Sequence, residues 1–172
     1  MLFPTHLVAG FLLTTRWRLS PYWGLAGAAL PDVVDKPIAM TGVYGLYHSV
    51  GHSAVVFGLV TLLAVGVAAT GRGRGVRRTG LAVWLGWGSH LLLDTVHMPL
   101  NGRPDDVRFL AWPLLEHAPA VRLPPVEFAV HYVGTPAFVA ELLIWGAFAA
   151  AVVGRLRSRE PDSTGRDTQR GE

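Results

Sequence analysis

Apolar residues along this chain fall in long blocks separated by short polar or proline- and glycine-rich connectors, a spacing that predicts helices and leaves no period-two alternation of the kind a half-buried strand shows. The first block, Phe3 to Leu13, ends at Arg16-Trp17-Arg18. Its positive charge follows the apolar run, whereas a secretory signal carries it in front, so the segment reads as part of the protein and not as a signal peptide. Ser20-Pro21 opens a second short helix, through Leu25 to Leu30, with proline at the first helical position where its missing N–H leaves no bond unmade. At about 11 to 13 residues each, these two would reach roughly 15 to 20 Å against a hydrocarbon core of about 30 Å, which predicts a half-inserted or tilted hairpin. After a Pro/Gly-punctuated loop from Pro37 to Gly45, the run Ala54 to Thr70 predicts a spanning helix. A basic connector, Gly71 to Arg78, reads as a flexible loop. It leads into Leu81 to Leu100, a second long run broken only by His90, Asp94 and His97. Residues 101 to 135 carry five prolines and read as a long loop with one short helix, and Pro136 to Gly154 is the last apolar helix. The expected fold is therefore all-α: an integral membrane helical bundle of about four to five apolar helices with a short N-terminal hairpin.

Composition supports a membrane as the solvent. Hydrophobic residues make up 51% of the 172 positions and charged residues only 16%, against about 25% charged in a typical soluble domain. Mean hydropathy is +0.36, which excludes intrinsic disorder for the chain as a whole. The length suits a single unit, residues 1–154 forming a membrane-embedded domain and 155–172 a polar, disordered tail. The formal charge of +3 brings no basic stripe interleaved with aromatics, so no nucleic-acid partner is expected. Eleven of the fifteen basic residues fall in three groups: Arg16 and Arg18; Arg72, Arg74, Arg77 and Arg78; Arg155, Arg157, Arg159, Arg166 and Arg170. If each apolar run changes sides, all three lie on one face, which the positive-inside rule makes cytoplasmic, with the C-terminus inside a multi-pass cell-membrane protein.

The chemistry gathers at the opposite helix ends. His6 begins the first helix, Asp32 and Asp35 end the second, His48 and His52 open the third, and His90 and Asp94 occupy the later half of the fourth. His48/His52 and His90/Asp94 are four apart and Asp32/Asp35 three apart, so each pair would project from one helical face. With no cysteine in the chain, any metal must be held by imidazole and carboxylate, donors suited to zinc, manganese or iron(II). Seven such groups exceed the needs of one four-coordinate zinc, and two or more ions are the economical reading. Each residue also has a plain structural alternative: a hydrogen-bonded histidine in an apolar segment, or an acid favoured near a helix end. Asp94 resists that alternative, because a carboxylate within Leu91-Leu92-Leu93 costs about 2.5–3.5 kcal/mol in a membrane unless partnered. His97 and Glu141 are candidates to support the ligands, His117 lies in the proline-rich loop, and His131 pairs on the surface with Glu127. Gly24, Gly27, Gly42, Gly45 and Gly51 read as packing and turn residues. Trp17, Trp23, Trp84 and Trp87 read as interface or core residues.

The ordered set Pro4-Thr5-His6 with Gly10, Leu30-Pro31-Asp32-Val33-Val34-Asp35, His48 with His52-Ser53, and His90-Leu91-Leu92-Leu93-Asp94 resembles the YdjM-like family of bacterial and archaeal membrane-bound, predicted metal-dependent hydrolases. The resemblance covers about residues 1 to 115, including Phe109 to Leu114. Family members commonly carry Arg and Thr where this chain has Ser49 and Gly51. Position by position, the resemblance implies His6, Asp32, Asp35, His48, His52, His90 and Asp94 as the metal-binding set. The expected activity is metal-assisted hydrolysis of a phosphoester or ester through activated water, with Asp32 or Asp35 as catalytic base. Membrane lipid and a lipid-like or small-molecule substrate are the expected partners. Two other readings stay open: a non-catalytic metal-binding or ion-translocating bundle, and a soluble helical hydrolase with unusually apolar helices.

Overall fold

A proline in the first turn starts each of the first two helices, α1 (Phe3–Arg16) and α2 (Pro21–Met40). Past the end of α1, Arg18 takes the left-handed conformation (φ 54°), while Leu19 N–H donates to Thr14 O and Arg18 N–H to Thr15 O. These two bonds satisfy carbonyls of the last helical turn. The computed structural model describes residues 1–41, 47–71, 73–116 and 125–157. The sequence readings for Gly42, Gly45, Arg72 and His117, and for most of the 155–172 tail, fall outside them.

α2 departs from expectation. It does not end near Leu30 but runs 20 residues, through Pro31 and Pro37. Each proline removes one backbone donor, yet Pro31 is buried and the turn carrying Asp32 and Asp35 stays helical. α3 (Ala54–Ala69) begins after Ser53, whose hydroxyl caps Val56 N–H at 3.1 Å, so His48 and His52 lie in the preceding turns and not on the helix. α4 (Arg74–Leu100) starts seven residues before the predicted Leu81 and takes three of the basic connector's arginines into its first turns. Arg77 reaches back to Ala68 O at 2.7 Å, and Arg78 donates to Arg18 O. Between positions 101 and 135 lie a 3-10 helix (Pro104–Ala111) and α5 (Pro125–Tyr132), more order than a loop with one helix. The last helix, α6 (Pro136–Arg157), extends past Gly154. Among the described residues the secondary structure is entirely helical.

α1, α2 and α4 pack on one another to form the centre, with the 3-10 helix and α6 against α4 and α1. The α2–α4 contact is backbone on backbone. A Cβ on Gly27 would overlap the Val83 main chain, and one on Gly86 would overlap that of Gly24, so both positions require a residue without a side chain. α3 has no buried residue and α6 only Ala137 and Glu141. Their outer surfaces expose leucines and valines such as Leu59, Leu62, Leu63, Leu142 and Leu143. α6 is long and apolar enough to cross a membrane, with only 11% of its apolar stretch buried in the protein. The 16-residue α3 is apolar but shorter, so of the four to five apolar helices expected, one among the described residues meets the length requirement for a span.

Candidate metal centre

Four segments bring six of the seven predicted residues to one end of the central helices. His6 comes from the second turn of α1, Asp32 from α2, His48 and His52 from the turns before α3, and His90 and Asp94 from α4. They form three overlapping groups able to hold a metal ion: His6, His90 and Asp94; Asp32, His52 and His90; His48, His52 and Asp94. Asp94 is the hub. One oxygen lies 3.3 Å from His6 Nε2, and the other lies 3.4 Å from His90 Nε2, 3.7 Å from His52 Nε2 and 4.0 Å from His48 Nε2. The His6 and His90 rings stack with centroids 3.8 Å apart, and His48 meets His52 edge-on at 4.4 Å. Outside the helices, burial and then the neighbouring His52 push the His48 pKa down to about 3. The ring is thereby kept neutral, the form in which imidazole binds a metal.

Asp35 has a different position from the one its spacing implied. It belongs to none of the three groups. Fully buried, it accepts five hydrogen bonds: from Ser49 N–H and Oγ, Gly51 N–H, His52 N–H, and His52 Nδ1 at 2.7 Å. It therefore fixes the turn between α2 and α3 and aims His52 Nε2 inward. The same turn is tied to α4 by Trp87 Nε1, which donates to Gly51 O at 2.7 Å, and to the 3-10 helix end by Ser53 Oγ, which donates to Trp112 O. His90 is oriented in a similar way, its Nδ1 2.6 Å from the Ala28 carbonyl. A carbonyl only accepts, so Nδ1 carries a proton, and in the neutral ring Nε2 is left with a lone pair. The Nε2 atoms of His52 and His90 then face each other at 3.1 Å.

Glu141 does support the site, but through a hydroxyl and not an imidazole. Buried on α6, it accepts from Thr5 Oγ1, and Trp145 Nε1 donates to the same hydroxyl at 3.0 Å. Thr5 precedes His6, so α6 braces the start of α1 at the ligand. His97 is buried against Tyr132 and outside the metal-capable groups, and His131 is exposed on α5. Of the tryptophans, Trp87 is buried while Trp17 and Trp23 are exposed. Sequence reasoning gave no role to Thr5, Ser49, Lys36 or the Ala28 carbonyl. The placing of Thr5 and Ser49 directly beside predicted ligands, and of Lys36 four residues after Asp32, could have flagged those three.

Comparison with known families decides the relationship: the YdjM inner membrane proteins match residues 1–160. The chain belongs to this family. The match extends the 1–115 resemblance through α6, the helix that meets the membrane-span criterion, and makes the protein an inner-membrane type. No curated protein and no solved structure matches the chain.

Proposed function

We propose that this YdjM-family chain is a multi-pass membrane protein that hydrolyses a phosphoester or ester at a divalent-metal centre, with zinc the first candidate and manganese or iron(II) behind it. The observation that carries this reading is the pair of Nε2 atoms of His52 and His90, 3.1 Å apart beside the buried Asp94, with both Nδ1 atoms engaged by acceptors. Lone pairs facing each other at that separation repel, and a cation between them removes the repulsion. Overlapping histidine and carboxylate groups suit one ion or two adjacent ions, and their number exceeds the four ligands of a closed structural zinc site. When bound, a divalent ion supplies the charge that polarises an ester oxygen and brings the pKa of a water toward neutrality.

The remaining work falls to the chain's own residues. Asp35 and Ala28 O hold the two imidazoles in the ligating tautomer. Asp32, with 12% of its side chain exposed at the rim and Oδ1 3.6 Å from His52 Nε2, is the carboxylate placed to accept a proton from a reacting water. Asp35 is a positioning residue, since its oxygens are already occupied. Apolar α3 and α6 surfaces flanking the centre favour an amphiphilic substrate drawn from the membrane. The arginine-bearing helix ends face away from the centre and belong on the cytoplasmic side, with the C-terminus. An ion-translocating role is disfavoured by the stretch of α4 between Arg78 and His90, which offers no ionisable side chain, and by the close backbone contacts of Gly27 and Gly86, which leave no space between α2 and α4 there.

The test is elemental analysis of protein purified in mild detergent, followed by assay of phospholipids, phosphodiesters and esters. Turnover should vanish on chelation and return with zinc or manganese. Metal bound with no turnover above an Asp94→Ala background would favour the non-catalytic alternative.

A further inference from the structure

The sequence contains a single lysine, and it stands at the edge of the centre. Lys36 Nζ lies 3.0 Å from Asp32 Oδ2 one helical turn away, and the other oxygen of that carboxylate belongs to the Asp32, His52 and His90 group. The ammonium also sits 5.3 Å from the centroid of the Phe3 ring, at the start of the helix that carries His6. With 48% of its side chain exposed, Lys36 meets solvent and the centre at once. Other cations described at this end are already engaged: the buried Met1 ammonium lies 3.4 Å from Asp94 Oδ1, while Arg103 pairs with Asp106 and Arg108 with Asp105 away from the centre. Those of the first turns of α4 and the last turns of α1 and α6 lie at the far end.

We propose that Lys36 is the anion-recognising residue of this centre and selects a substrate bearing a phosphate group over an uncharged ester, an inference that rests on the metal-dependent reading above. Charge balance supports it. With neutral imidazoles, Asp32, Asp35 and Asp94 contribute three negative charges against the single positive charges of Lys36 and of the Met1 ammonium on Asp94, so that one divalent ion leaves one positive charge in excess. A second divalent ion raises the excess to three positive charges, which a phosphomonoester dianion lowers to one, whereas a carboxylic ester brings no charge. A cation engaging Asp32 also competes with Lys36 for that carboxylate, freeing the ammonium. A flexible four-carbon stem lets this compact charge turn outward to a phosphate oxygen without moving α2. A lipid headgroup and a soluble phosphate ester present the same dianion.

Because Lys36 is the sole lysine, its acetylation by acetic anhydride is read from one peptide by mass spectrometry. In the full, metal-loaded chain in detergent, inorganic phosphate should slow acetylation of Lys36. Lys36→Met should weaken phosphate binding, measured by titration calorimetry, by about tenfold or more, the loss of one charge-assisted hydrogen bond. Lys36→Arg should recover most of it, with metal content unchanged in both variants. Protection by phosphatidic acid at lower concentration than by glycerol phosphate assigns the phosphate to a lipid, and equal protection assigns it to a soluble ester. Unchanged acetylation, with equal phosphate affinity in metal-loaded Lys36→Met, overturns the proposal. Loss of metal from Lys36→Met also overturns it, by making the lysine a brace for Asp32. Wild-type protein without metal refutes the metal-dependent reading itself, and metal content alone separates that result from the others.

Discussion

Asp35 and Asp94 are both buried carboxylates among histidines, and their surroundings give them opposite duties. Asp94 turns two oxygens toward four imidazole Nε2 atoms, with the Met1 ammonium 3.4 Å from one of them, whereas Asp35 takes three backbone N–H groups, one hydroxyl and one Nδ1. Removing each should therefore fail differently. Asp94→Ala should lose bound metal, read by elemental analysis, while exposed His131→Ala should keep it. Asp35→Asn withdraws the charge from a five-bond acceptor and should cost about 2–4 kcal/mol of stability in thermal unfolding, with a smaller loss of metal. Asp32→Asn should leave the fold intact and reduce turnover about 100-fold, roughly 2.7 kcal/mol of transition-state stabilisation. The residue types were legible in the sequence because ionisable groups in apolar runs are conspicuous. Which carboxylate faces the cluster was not, since that depends on a turn 14 to 17 residues away folding back onto Asp35.

Among the helices, α2 shows how a local rule can be overridden. Pro31 and Pro37 mark a helix end by propensity, but packing against α1 and α4 carries the helix past both and places Asp32 and Asp35 on helical turns. The His48/His52 spacing has the opposite lesson: four residues apart, they converge through turns held by Asp35, not through a helix. The block structure made the helices themselves legible, and their ends were obscured by charge and proline. The α2–α4 seam gives a test at this scale. Gly27→Ala or Gly86→Ala should destabilise by about 1–3 kcal/mol through overpacking. Gly66→Ala, on the open face of α3 with nothing near its added methyl, should be neutral or slightly stabilising in the same melt.

Among the described residues, ligands collect at one end of the central helices and all the arginines but Arg103 and Arg108 at the other, where Arg78 bonds to Arg18 O and Arg155 lies over Phe11. That polarity could be read in the sequence from charge alone, although the number of spanning helices could not, because α3 and the turns before it divide one apolar stretch. With no native cysteine, Gly73→Cys and Asp105→Cys, both exposed, should be labelled by a membrane-impermeant maleimide from opposite faces of vesicles. Labelling of both from one face would refute the proposed topology.

α3 is about 24 Å long at its 16 residues, shorter than a hydrocarbon core of about 30 Å, and its first residue follows the Ser53 cap and His52 without a spacer. In the proposed multi-pass arrangement that shortfall is a hydrophobic mismatch, met by thinning the surrounding lipid or by pulling on the helix ends. The upper end is pinned, through Ser53 to Trp112 and through His52 to Asp35, so tension from a thick bilayer falls on the turn that carries two ligands. Bilayer thickness thereby becomes a variable of the metal centre: affinity for zinc should be higher in vesicles of short-chain than of long-chain phosphatidylcholine, and extending α3 by one turn of leucine near Val65 should flatten the difference.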